Sequence, residues 1–116
     1  MGGGIALWLG IHHPDLIQGL ILISTGASLP VNLTLIDGLA VPESFPATVE
    51  QIISWSFSPQ ADTGVIKNVR NAMLETRSSV LSADFRACDA FDLSGELDRV
   101  KAPTLILVGE EDKMTP

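Results

Sequence analysis

The chain has 116 residues, enough for one ordinary domain and short for an α/β fold with several crossovers, and its 46% apolar composition marks a globular protein. Seven Lys/Arg against fourteen Asp/Glu give a net charge of −7 with no basic cluster, which argues against nucleic acid as a partner. The single Cys88 cannot form an internal disulfide, no stretch has the form of a secretion signal, and the apolar run at residues 16–23 is too short to span a bilayer, so the expectation is a cytoplasmic chain with no membrane segment.

Residues 1–14, Met-Gly-Gly-Gly-Ile-Ala-Leu-Trp-Leu-Gly-Ile-His-His-Pro, predict a helix that opens on glycine and is stopped by Pro14. Each glycine costs a helix about 1 kcal/mol relative to alanine, so three in succession imply close approach of another backbone. Ile5, Leu7, Trp8, Leu9 and Ile11 leave almost no polar face, as in a helix buried between a sheet and other elements. At its end, His12 and His13 are read as partners of the exposed carbonyls and of the negative pole of the dipole. Residues 16–23, rich in isoleucine and followed by Ser24-Thr25-Gly26, predict a buried strand. A helix feeding such a strand is half of a βαβ crossover, which calls for a further strand ahead of the glycines.

From residue 27 to residue 93 the pattern is helical, with Asp37-Gly38, Pro42, Pro46 and Pro59 as punctuation. One helix is expected over residues 48–57, with Thr48 and Gln51 spaced as a capping box and Val49, Ile52, Ile53 and Phe57 on one side. A second is expected over 65–76 through Val65, Ile66, Val69, Met73 and Leu74, and a third over 79–91 on the stripe Leu81, Phe85, Cys88 and Phe91. Cys88 on that stripe is read as a small core residue. Trp55, Phe57, Met73, Phe85 and Phe91 are core candidates first and candidates for lining a pocket second.

The last stretch carries the chemistry. Residues 105–108 form an unbroken apolar run between Pro103 and Gly109, which predicts a strand buried on both faces inside a parallel sheet. Ligands of open α/β sheets sit outside the carboxyl ends of the strands, where Gly109 turns the chain and presents Glu110, Glu111 and Asp112. One of these acids is read as the functional group, the plain alternative being a solvated acidic turn.

Taken together, the two ends of the chain resemble the α/β-hydrolase family of the serine type. Met1-Gly-Gly-Gly-Ile-Ala-Leu through His13-Pro14-Asp15 is similar to the stretch that begins one residue after the nucleophile in the Gly-x-Ser-x-Gly elbow. Pro103-Thr-Leu-Ile-Leu-Val-Gly-Glu-Glu-Asp112-Lys-Met-Thr-Pro116 is similar to the family's acid-bearing strand. The resemblance implies a partial α/β-hydrolase fold: residues 1–26 as elbow helix and core strand, 27–93 as a helical lid insertion, and 94–116 as the acid-bearing strand and turn.

It also implies roles. Asp112 would be the triad acid, accepting a hydrogen bond from the histidine and stabilising its imidazolium. Met1 would supply an oxyanion N–H, although as an amino terminus it would be a charged amine, and Gly2 and Gly3 would be elbow glycines. No cofactor and no metal are implied, and the substrates would be small esters, amides or related bonds. The nucleophile, serine or in some relatives aspartate, would lie immediately before Met1, and the histidine roughly 25 to 30 residues after Asp112. His12 and His13 stand about 16 Å along the helix from the elbow, beyond reach. The isolated chain is therefore expected to be inactive. The competing expectation is a non-catalytic binding or assembly module, which completes its sheet with a partner chain or by self-association along the exposed edge of residues 16–23.

Overall fold

A computed structural model describes residues 1–115; Pro116, the last residue of the acid motif, lies outside them. The glycine-rich start forms α1 (Gly2–His12). It ends as the His13 N–H reaches the Leu9 carbonyl at 2.8 Å and Pro14, with no N–H to donate, opens a 3₁₀ turn (Pro14–Leu16). That turn shortens the strand expected over residues 16–23. The Leu16 and Ile17 N–H groups bond back to His13 and Pro14, and pairing begins only at Leu20, whose N–H donates to the Pro103 carbonyl at 2.9 Å.

β1 (Leu20–Ile23) and β2 (Thr104–Leu107) lie parallel, with Leu20 opposite Thr104 and Ile23 opposite Leu107. The face of β1 carrying Leu20 and Leu22 packs on Leu7 and Ile11 of α1 and on Leu93. Its other face, Ile21 and Ile23, is more than 60% exposed. The expectation that β2 is buried on both faces is corrected here: every residue of β2 is exposed. Among the described residues the sheet has two strands and one packing helix, so nothing covers the remaining apolar faces. For the same reason α1 is buried on one side only, and Ile5 and Trp8 stand exposed.

The helical region contains one element more than the sequence pattern predicts. α2 (Leu33–Ala40) is capped by Asn32, whose Oδ1 accepts from the Thr34 N–H at 2.9 Å. Asp37-Gly38, read as punctuation, lies inside this helix. Gly38 is there for packing: a Cβ at that position would stand 2.3 Å from the Thr48 hydroxyl oxygen on the next helix. That helix, α3 (Phe45–Ser56), begins three residues before the expected start, with Pro46 in its first turn. Thr48 is therefore no cap; its hydroxyl donates back to the Ser44 carbonyl at 3.0 Å.

α4 (Thr63–Glu75) is capped by Asp62, which accepts from the Val65 N–H at 3.0 Å, and α5 (Ser78–Asp89) ends before Phe91. Leu35 and Leu39 of α2 close a core with Phe45, Val49, Ile52 and Ile53 of α3. Leu81 and Phe85 of α5 and Met73 of α4 pack against it. Phe91 belongs instead to the core under the sheet.

Candidate active site

The acid turn follows β2. Gly109 accepts a hydrogen bond from the Asp112 N–H at 3.1 Å, and this turn lifts Asp112 out of line with the strand. Both oxygens of its carboxylate are then held. Oδ1 accepts from the Met114 and Thr115 N–H groups, both at 2.9 Å, and Oδ2 accepts from the Thr115 hydroxyl at 3.0 Å. Burial pushes this carboxyl up, but the Thr115 N–H, the Ser24 hydroxyl, the Thr115 hydroxyl and the Met114 N–H together outweigh it and hold the group below its usual value. The result is a carboxylate ionised at neutral pH and fixed in direction. Glu110 and Glu111 are exposed and have no such partners among the described residues.

Two further ties orient the turn. The Lys113 N–H donates to the Trp55 carbonyl at the end of α3 (3.1 Å), and Met114 inserts into the helical core. Ser24 leaves β1 at φ 44°, the one positive φ outside glycine among the described residues, while its N–H still holds the Leu107 carbonyl at 2.9 Å. A non-glycine residue in the left-handed region is uncommon and carries strain, and here the conformation turns the chain off the strand beside the acid.

At the other end of the chain Gly3 and Gly4 do allow close approach, though of side chains rather than of backbone. A Cβ on Gly3 would stand 2.4 Å from Thr25, and one on Gly4 3.1 Å from the Phe91 ring. Gly2 has nothing near it. The Thr25 hydroxyl is buried beside Gly3 and has no hydrogen-bond partner among the described residues.

Residues next to both of these regions line a cavity of about 480 Å³, although Asp112 itself is not among them. Met1 reaches it from the start of α1, Ser24 and Thr115 from the segments that follow β1 and β2, and Leu35, Trp55, Leu81 and Phe85 from the other helices. Of the five aromatic and methionine side chains considered for a pocket, Trp55 and Phe85 line this cavity. Phe91 lines a smaller one of about 310 Å³ with Met1, Gly4 and Trp8. Phe57 lines a separate cavity of about 660 Å³ with Glu110, Glu111, Asp112 and Lys113, and Met73 packs in the core. His12 is occupied elsewhere: its Nδ1 lies 3.1 Å from the Trp8 carbonyl, its Nε2 3.5 Å from Glu96, and its ring stacks on Trp8.

The carboxylate partners Ser24 and Thr115 were not singled out by the sequence reading. Thr115 had a signal, since an Asp followed by a hydroxyl residue three positions on is a local side-chain-to-backbone turn. Ser24 had none, because its position depends on the pairing of two strands eighty residues apart in sequence. Among the described residues no group of three His, Cys, Asp or Glu side chains is placed to hold a metal ion, and no helix is long and apolar enough to cross a membrane.

No family model matches the chain. It is 26% identical over 129 aligned positions to the pimeloyl-[acyl-carrier protein] methyl ester esterase of Neisseria meningitidis serogroup A, covering all of this chain and 41% of that protein. It is 28% identical to the thermostable monoacylglycerol lipase of Bacillus sp. strain H-257, again over all of this chain and 41% of the relative. In three dimensions it superposes on a thermophilic esterase with a TM-score of 0.85 and 32% identity, over 98% of this chain and 45% of that one. The chain thus spans less than half the length of each of these three proteins. With a parallel strand pair and a helix packed on it, the chain has part of the α/β-hydrolase fold, and it is similar in sequence to esterases and lipases.

Proposed function

We propose that this chain is the interior of a serine-type hydrolase of small esters, supplying the acid, the elbow helix and the lid, with residues 27–93 as the lid. One observation carries the reading: a carboxylate held by three hydrogen bonds within its own turn, whose following residues line a cavity with Met1. Asp112 would accept the Nδ1–H of a histidine from further along the full protein. That contact fixes the tautomer, leaving Nε2 to take the proton of a serine placed just before Met1 and to return it to the leaving alcohol. The Met1 N–H, in a peptide bond and at the start of α1, would donate to the oxyanion. Gly2 and Gly3 keep the helix start clear of side chains.

The test has two steps. Sequencing the DNA on either side of this reading frame should find in-frame codons for Gly-x-Ser directly before Met1 and a histidine downstream of Pro116. The full product should then hydrolyse small esters, and Asp112→Asn should lower kcat on the order of 10⁴-fold, the size of effect seen when a triad acid loses its charge. Full-rate hydrolysis by Asp112→Asn would sink the assignment.

The open sheet supports a second reading, an assembly module that pairs with a partner chain or with itself, since Ile21, Ile23 and all of β2 are exposed. A monomer with one sharp thermal transition would count against it.

A further inference from the structure

Ser24 and Thr25 leave the end of β1 in two directions. Ser24 brings its hydroxyl close to Asp112, whereas the Thr25 side chain packs on the first turn of α1. A Cβ on Gly3 would stand 2.4 Å from the Thr25 methyl carbon and 2.6 Å from its hydroxyl oxygen, so only glycine lets threonine come this close. That oxygen is buried and has no hydrogen-bond partner among the described residues. A buried hydroxyl without a partner has lost water and gained nothing, and buried polar groups in complete proteins are nearly always paired. Valine would fill the same space with no oxygen left unpaired.

One source of a partner fits the topology. α1 packs on β1 and feeds it, so a strand ahead of α1 joins the sheet parallel to β1. Among the described residues β1 pairs with β2 alone, and its other edge is open. A parallel neighbour on that edge ends where β1 ends, which puts its last carbonyls beside Thr25 and the start of α1.

We infer that Thr25 is a positioning residue: in the full protein its hydroxyl donates to a main-chain carbonyl of the segment entering Met1, and so sets the place of the nucleophile relative to Asp112. This rests on the serine-hydrolase reading of the same site. The connection is short, because Ser24 beside the acid and Thr25 beside the helix that follows the nucleophile are neighbours in the chain.

Two comparisons isolate the hydroxyl: wild type against Thr25→Val, and Thr25→Ser against Thr25→Ala. In the full product each loss of the hydroxyl should lower kcat for a small ester on the order of 10- to 100-fold with KM nearly unchanged, as for a nucleophile misplaced by up to about 1 Å. Thr25→Ser should keep kcat close to that of the wild type. Urea midpoints give a second readout that needs no catalysis. In the 116-residue chain Thr25→Val removes an unpaired buried oxygen and should raise the midpoint, whereas in the full product it breaks a hydrogen bond and should lower it. Equal kcat for wild type and Thr25→Val overturns the inference. So does Thr25→Ser as slow as Thr25→Ala, or a midpoint that moves the same way in both proteins. If the full wild type hydrolyses no ester, the esterase reading falls alone, and the two midpoints still decide whether Thr25 holds the entering segment.

Discussion

Leu39 and Ile106 occupy equally apolar stretches, yet Leu39 in α2 is 0% exposed and Ile106 in β2 is 67% exposed. The contrast extends to the regions around them. The four helices between residues 33 and 89 satisfy their backbones internally and bury Leu35, Leu39 and Val49 completely. The two strands have free edges and one covering helix, and a strand pair completes neither its ladder nor its core without neighbours. The most completely buried side chains therefore lie in the helical region, while the strands, with a core on one face only, position the acid turn.

The largest expected effect tests that division directly. Leu39→Ala should destabilise the chain by about 2–5 kcal/mol, because the cavity it leaves lies among side chains that cannot all collapse into it. Ile106→Thr should move stability by no more than about 0.5 kcal/mol, as at other exposed positions. Denaturant midpoints at unchanged slope would measure both. Equal losses would mean that the sheet is as well closed as the helices.

A smaller effect is expected where the two regions meet. Gly3→Ala gains about 1 kcal/mol of helix propensity but drives a Cβ into Thr25, a β-branched side chain with little room to turn, at about 1–3 kcal/mol. The net result should be a loss of about 1 kcal/mol. Gly2→Ala, with open space around it, should be neutral or slightly stabilising in the same unfolding measurement. A stabilising Gly3→Ala would show that α1 and the loop after β1 are not in close contact.

The smallest effect sharpens the role of the acid turn. Asp112 has its carboxyl held below the usual value in the folded chain, so its contribution is present above the unfolded pKa of about 3.9 and is lost as the pH falls through the folded value. An acid titration of stability should show this loss in the wild type. Asp112→Asn should remove that part of the pH dependence, and an unchanged titration curve would mean that the turn is not held by the ionised form.

The sequence pattern located most of this architecture, and the exceptions have physical causes. Helices α3, α4 and α5 were legible through their periodicity, and their ends moved by up to three residues because caps such as Asp62 and first-turn Pro46 decide where hydrogen bonding begins. α2 was missed because Asp37-Gly38 reads locally as a turn, and only the contact of Gly38 with Thr48 shows what the glycine is for. The turn at Gly109 that presents Asp112 was legible, whereas the closeness of Ser24 to that carboxylate was not.

Local chemistry is what the sequence determined by itself: apolar runs, helix periods, the Gly109 turn and a carboxylate three residues later, all set by neighbours in the chain. The tertiary structure alone decided which apolar faces found cover, which aromatic side chains met the cavity, and how Ser24 reached Asp112. Those outcomes depend on surfaces brought together from distant parts of the chain, and no local pattern encodes their fit.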